Sequence, residues 1–454
     1  MKKRTSTFLL VIFSLGFIMA VLDTTGVVLA IPQIEKYLNI PLSQSVWVAN
    51  SYILALGALL LLSGNLTAKY GAKRILIIGM SIFSLASLSC SFAVNLEMLI
   101  ISRFIQGFGA SLFMPSSLAL LFMSYPDADK RAKMLGIWTA IISVATGLGS
   151  FIGGTLINLF GWRSIFLVNI PLGLITVISV MMLIKSNVAN PKVKIDVINN
   201  ILLVMTIASL IIYLVEGNQQ GYGKFNLLIF IALTFIFAFI LFLRERNTTA
   251  PIVPHQLLKQ PRFLVSNLLG LVVNISLYGI VLVLGLYFQT ELHLTPMISG
   301  LLIVPGMIVL VIGNLYYAKA VKRIKANVLA TRSILFAIMG ALGILVMSLI
   351  TAQVPLYIII LFFAVMSLGI GVLTPATTTM LMEAAGKDFS GIAGATLNAN
   401  KQIGGLFGTA IMSIVISSFA EQWQMVLGIT FLINSCLYLG SWILTQKFLK
   451  DSKL

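Results

Sequence analysis

The sequence has little charge, and little of it is acidic: Asp, Glu, Lys and Arg make up 9% of 454 residues, and only 13 residues are Asp or Glu. It is also 59% hydrophobic, with a mean hydropathy of +1.04, which a chain in water could carry only by exposing apolar surface. A soluble fold is therefore excluded, and the composition is that of an integral membrane protein. The two cysteines, Cys90 and Cys436, both fall inside apolar runs, which argues against a disulfide framework or a redox pair. His255 and His293 stand apart in sequence, without the spacing of metal ligands. No nucleophile and base constellation and no nucleotide-binding glycine loop is present, so neither a membrane enzyme nor a metal or other cofactor is expected.

The net charge of +17 would suggest nucleic acid if the basic residues clustered on a polar domain, but they punctuate apolar runs at near-regular intervals. Fourteen runs reach the length that crosses a bilayer: 8–31, 45–66, 75–94, 98–122, 134–159, 163–185, 197–217, 225–243, 263–290, 298–318, 328–350, 355–380, 391–419 and 425–446. The start Met1-Lys2-Lys3-Arg4 resembles a signal peptide, yet the following run is too long and lacks a small-residue cleavage site, so it is expected to stay as the first helix. With that basic start in the cytoplasm, Lys69/Lys73/Arg74, Lys130/Arg131/Lys133, Arg244/Arg246/Lys259/Arg262 and Lys319/Lys322/Arg323/Lys325 all fall inside. Only Lys36, Arg163 and Lys224 fall outside, and Arg103 and Lys401 fall within helices. Both termini are thus expected in the cytoplasm of a plasma-membrane protein.

The proline-bearing stretch Arg244 to Arg262 and the polar stretch Ser186 to Asp196 divide the runs into six, two and six. The expected divisions are an N-terminal six-helix bundle over 1–185, a central two-helix insertion with its linkers over 186–262, and a C-terminal six-helix bundle over 263–454. An internal repeat agrees: Gly64-Asn65-Leu66 with Lys73-Arg74-Ile75 recurs as Gly313-Asn314-Leu315 with Lys322-Arg323-Ile324, each after the second helix of its sextet. Repeated halves flanking a midplane site are a transporter signature.

The first helix holds one carboxylate, Asp23, in Leu22-Asp23-Thr24-Thr25-Gly26-Val27. Such a group costs about 2.5 to 3.5 kcal/mol near the bilayer centre even on the lenient insertion scale, so a functional role is the default reading and a structural hydrogen bond to a neighbouring helix the alternative. Binding a proton from one face and releasing it to the other is the chemistry open to it. Arg103, in the fourth helix, lies roughly 8 Å below the outer end of its helix and Asp23 roughly 13 Å below its own, a difference a guanidinium can span. The two are read as a proton-coupling pair, against the alternatives of a static ion pair or an Arg turned toward the surface.

Tyr52, Gln106, Trp138, Asn169, Asn274, Tyr278, Tyr287, Gln289, Asn398 and Lys401 are candidates to line a central substrate cavity. Lys401 stands out, because a buried ammonium needs a partner, and a hydrogen bond packed between helices is an equal reading of it. Glu216 and Glu291 sit near outer helix ends and are read as interfacial acids. Gly147, Gly149, Gly153 and Gly154 in the fifth helix and Gly404, Gly405 and Gly408 in the thirteenth let backbones approach closely, which suits either fixed packing or a moving interface.

Taken in order, these residues resemble the major facilitator superfamily, and within it the 14-helix drug:proton antiporters. Leu22 to Val27 is similar to that subfamily's first-helix motif, and Gly64, Leu66, Gly71 and Lys73 to the superfamily's cytoplasmic signature. Arg103-Phe104-Ile105-Gln106-Gly107 is similar to its fourth-helix signature, Gly149 to Gly154 to the antiporter signature, Trp162 to Gly173 to the sixth-helix start, and Asn398 to Gly405 to the thirteenth-helix segment, with Lys401 where Arg is usual. The resemblance implies an all-α membrane fold of two six-helix bundles plus a central pair, with Gly64, Gly71, Lys73, Gly149, Gly153 and Gly154 in the moving parts. It implies proton-gradient-driven efflux of hydrophobic, cationic or zwitterionic drugs by a monomer that uses no cofactor and binds no nucleic acid. A facilitated or proton-linked transporter of a metabolite, lipid or peptide is the alternative. Three departures stand out: Ala68 replaces an acid, Ser150 replaces a proline, and the ninth helix carries no acid between Phe263 and Thr290.

Overall fold

The structure is a computed structural model that describes residues 3–40, 45, 47–125, 127–184, 189–190, 195–221, 223–246, 248, 251–294, 296–351, 353–419 and 422–449. Apolar runs too long for a single soluble core become helices, since a helix satisfies its own backbone where no water is present. In chain order they are α1 (Lys3–Leu38), α2 (Trp47–Tyr70), α3 (Ala72–Ser91), α4 (Leu96–Ser124), α5 (Ala128–Phe160), α6 (Ser164–Leu183, broken at Val168) and α7 (Val197–Gln220). There follow α8 (Phe225–Glu245), α9 (Pro261–Thr290), α10 (Pro296–Ala320), α11 (Ala326–Ile350), α12 (Leu356–Ala385), α13 (Ser390–Ser418) and α14 (Trp423–Phe448), with a one-turn helix His255–Leu258 before α9.

Eleven of these are long and apolar enough to cross a membrane, and a twelfth is added if α1, bent by 50° between Thr24 and Leu29, counts as one span. This is fewer than the fourteen spans expected. Segments 134–159 and 391–419 are helical, as α5 and α13; neither is among the eleven, and in α5 the side chains of residues 146–148 and 150–151 lie outside the described residues. Composition gives the reason for α13, which carries Asn398, Asn400, Lys401 and Gln402 beside five glycines. What stands is an all-α, multi-pass membrane protein.

The chain forms two compact units, 1–126 with 144–255 and 385–399, and 127–143 with 256–384 and 400–454. In the first unit α4 is the central element: 83% of its apolar window is buried, against 11% for α8, whose Phe225, Phe235, Phe239 and Phe242 face outward as a lipid-facing surface would. Asn95 caps α4, accepting from the Met98 amide at 2.8 Å, with Glu97 in the first turn where the helix dipole favours an anion. Two glycine contacts then fix the rotation of α4. A Cβ on Gly109 would lie 2.6 Å from the Phe83 nitrogen of α3, and one on Gly107 would lie 2.5 Å from the Tyr52 oxygen of α2. In the second unit α9, α11, α12 and α14 enclose a core that includes Leu269, Tyr287, Ala337, Phe363, Met366 and Phe431. There Gly371 of α12 meets the Leu310 backbone of α10 as Gly107 of α4 meets α2.

Candidate functional site

The close approach at Gly107 dictates what the preceding turn of α4 does. Arg103, four residues earlier on the same face, is brought against α2, where its Nε donates to the Val48 carbonyl at 2.9 Å and its guanidinium lies 4.4 Å from the Tyr52 ring. Phe166 of α6 offers a second ring at 5.7 Å. From α1, Asp23 meets the same guanidinium: Arg103 Nη1 donates to Asp23 Oδ2, and the two side chains are 1% and 0% exposed. The pair anticipated from helix depth therefore forms.

The carboxylate has further donors. Gln106 Nε2 donates to Asp23 Oδ1 at 2.9 Å and to Ser87 Oγ of α3 at 2.7 Å, while Gln106 Oε1 accepts from Arg103 Nη1 at 2.6 Å. Asn169 Nδ2 reaches Asp23 Oδ1 at 3.3 Å and Ser87 Oγ at 3.4 Å, and the Cys90 thiol donates to Gln106 Oε1 at 3.8 Å. Gln106 and Asn169, expected as cavity-lining residues, are fully buried partners of Asp23 instead. Ser87, Cys90 and the Val48 carbonyl were not singled out from sequence. Ser87 and Ser91 do stand one turn apart on α3, a small polar stripe in an apolar helix.

Five helices thus bring three N–H donors to one buried carboxylate, an arrangement suited to an anion. Protonating Asp23 would remove the charge that Arg103 answers and turn one acceptor oxygen into a donor, so the hydrogen-bond pattern at this group has to change. Besides Asp23 and Arg103, the titratable groups against this cluster are Tyr52 and Cys90, both buried. Around it, Gly26 of α1 lies against Ile165 of α6, and a Cβ on Gly153 of α5 would lie 2.9 Å from the Gly26 Cα. Gly154 approaches Leu29 and Gly149 is buried. The side chains of Ser150 and Phe151 lie outside the described residues.

Other candidates are dispersed. Trp138 and Asn398 are buried, with Asn398 bonded to the Gly394 carbonyl of its own helix. Asn274 and Tyr278 are half-buried, and Gln289, expected at the cavity, is exposed and bonded to the Gly285 carbonyl of its own helix. Tyr287 is buried against Trp423. Glu216 is half-buried near the end of α7, and Glu291 is exposed at the C-terminus of α9. Lys401 is half-buried on α13.

Between α2 and α3, Gly71 adopts φ +89°, the left-handed backbone that lets one helix turn into the next across one residue. Lys73 donates to the Ile184 carbonyl and to that of Met181, closing the C-terminus of α6. Gly64 of α2 meets α13, where an added Cβ would lie 2.5 Å from the Ala395 Cβ. Ala68 lines a cavity of about 320 Å³ with Thr67, Asn190, Lys387, Asp388, Ser390 and Gly391, and its carbonyl accepts from the Asn190 amide at 3.0 Å. Among the described residues no group of three His, Cys, Asp or Glu side chains could hold a metal ion.

The chain is 38% identical over 446 residues to the methylenomycin A resistance protein of Bacillus subtilis (strain 168), covering 98% of this chain and 95% of that one. It is also 38% identical over 424 residues to the methylenomycin A resistance protein of Streptomyces coelicolor, covering 93% and 88%. Among solved structures, that of the human organic anion transporter MFSD10 superposes with a TM-score of 0.69 over 97% of this chain and 99% of that one, and at 13% identity it speaks to the fold alone. Residues 13–409 match the profile of the Major Facilitator Superfamily, and the chain belongs to that family.

Proposed function

We propose that the chain is a drug:proton antiporter of the plasma membrane, in which export of a small apolar molecule is driven by protons that bind to and leave Asp23. Family membership makes it a membrane transporter and not an enzyme. The observation that carries the reading is the buried carboxylate whose every described partner is a donor. Ionised, it holds α1, α4 and α6 together through Arg103, Gln106 and Asn169; protonated, it loses that match. Proton binding and helix rearrangement are then one event, which alternating access requires.

In this cycle the empty, ionised site keeps Arg103 on Asp23 and on the Tyr52 face. A proton entering from outside neutralises Asp23 and frees Arg103, and drug release and proton uptake exchange across the two faces. Fourteen spans in a six, two and six arrangement, cytoplasmic termini and action as a monomer belong to the same proposal. The resistance role in the names of the two relatives supports efflux rather than uptake.

Inside-out vesicles from cells expressing the chain provide the test, with methylenomycin A as the probe. They should accumulate the drug when their lumen is acidified, and a protonophore should abolish the accumulation. Accumulation that a protonophore leaves intact would contradict antiport.

A further inference from the structure

Asp23 and Arg103 neutralise one another inside the first unit. The second unit holds an ionisable group of the opposite kind, a cation with no such answer. Lys401 is the twelfth of 29 residues of α13, about 16 Å of helix from its N-terminal end, a distance its four-carbon stem does not bridge. It is half-buried, and among the described residues no ion pair or hydrogen bond reaches its ammonium: the ion pairs are Arg103–Asp23, Arg131–Glu383 and Arg244–Asp196.

The unit offers no acid to answer it within a span. Helices α9, α10, α11, α13 and α14 contain neither Asp nor Glu, and Glu383 of α12 stands three residues from the end of its helix and pairs with Arg131 at 3.8 Å. Nor is the backbone that carries Lys401 loose. Asn400 donates to the carbonyl and to the side-chain oxygen of Asn267 of α9, both at 3.0 Å. One turn further on, Gly404 lies against Leu271 and Asn274, and Gly405 against the Tyr278 ring. A fixed, half-buried ammonium in a spanning helix is a place for an anion that the chain itself does not provide.

We infer that Lys401 receives the anionic group of the transported solute, so that the substrates are small, mainly apolar molecules carrying a carboxylate or a comparable anionic oxygen group. This rests on the transport reading above and names its substrate class. It reverses the cation preference that Asp23 alone suggests, because Asp23 is already answered by Arg103. Half-buried Asn274, Tyr278 and Gln402 supply neutral polar groups on the same stretch of α9 and α13.

The test is equilibrium binding to the purified full-length protein in lipid nanodiscs with no ion gradient. The probes are pyrenebutyrate, which carries the carboxylate, and its methyl ester, which does not. The wild type should bind the acid at least tenfold more tightly than the ester. Lys401→Gln should lose at least tenfold for the acid and keep the ester affinity, whereas Lys401→Arg should retain the preference for the acid. Equal affinities for acid and ester in the wild type, or an undiminished preference in Lys401→Gln, would overturn the inference, and the wild-type arm decides even where the Gln variant does not fold. Since no gradient is used, failure here leaves proton-driven export standing. Conversely, acid-selective binding together with protonophore-insensitive accumulation would sink antiport and leave the anion site.

Discussion

Removing Arg103 alone should damage the fold more than removing the whole ion pair. In Arg103→Gln the carboxylate of Asp23, 0% exposed, loses its only cationic partner and keeps two neutral donors. The Val48 carbonyl and the Tyr52 face lose theirs as well. Stranding one member of a buried pair costs about 3 to 5 kcal/mol, whereas replacing both members by neutral groups is often close to neutral. The double variant Asp23→Asn/Arg103→Gln should therefore recover most of the loss, with a coupling of about 3 kcal/mol, at the upper end for contacting residues. Thermal unfolding in detergent across the four proteins of the cycle measures it. Additive single effects would refute the account of this cluster.

Other consequences can be checked at the ends of helices. Ala68→Asp would put a carboxylate into the cavity bounded by Lys387 and the start of α13 at Ser390, where a helix-terminus contact is worth up to about 2 kcal/mol and Asp388 opposes it. Spin labels at the C-terminal end of α2 and the N-terminal end of α13 should then report a narrower distance distribution, and an unchanged one counts against that pairing. Asp196 caps α7, accepting from the Asn199 amide at 3.0 Å, and that amide above all, with Thr248 and Arg244, holds its carboxyl below the usual range. Its stabilisation is complete above the ordinary carboxylate value of about 4 and lost as pH falls through the lowered one. Amide exchange at the start of α7 should accordingly quicken in Asp196→Ala at neutral pH, by the equivalent of about 0.5 to 2 kcal/mol, and in the wild type only in strong acid. Topology reporters fused at Asn218 and Lys325 should read outside and inside; the reverse at either would break the fourteen-span arrangement.

The sequence carried much of this cluster because charge in a bilayer is conspicuous: Asp23 and Arg103 stand alone in the apolar runs 8–31 and 98–122, and counting 1.5 Å per residue brought them to compatible depths. Rotation about the helix axis was not legible. Gln106 and Asn169 could equally have faced a cavity, and what turns Gln106 onto Asp23 is the pair of backbone approaches at Gly107 and Gly109, long-range contacts that no local pattern prints. Ser87 was hidden for the same reason, and the Val48 carbonyl because backbone groups have no letter in a sequence. Helix existence was read from hydropathy alone, and the signal that α8 and α12 carry strongly is diluted at α13 by its glycines and polar residues. Lys73 shows the limit of a motif: its place was recognisable, its bonds to the end of α6 were not.

The central claim, that Asp23 carries the coupled proton, is met most directly by measuring protons released when drug is added to purified protein in weakly buffered detergent solution. The wild type should release protons on addition of methylenomycin A. Asp23→Asn, which keeps the shape of the side chain but cannot titrate, should bind the drug within about threefold of wild type and release none. Equal proton release from the Asn variant would contradict the account, and the coupled proton would have to be sought elsewhere in the chain.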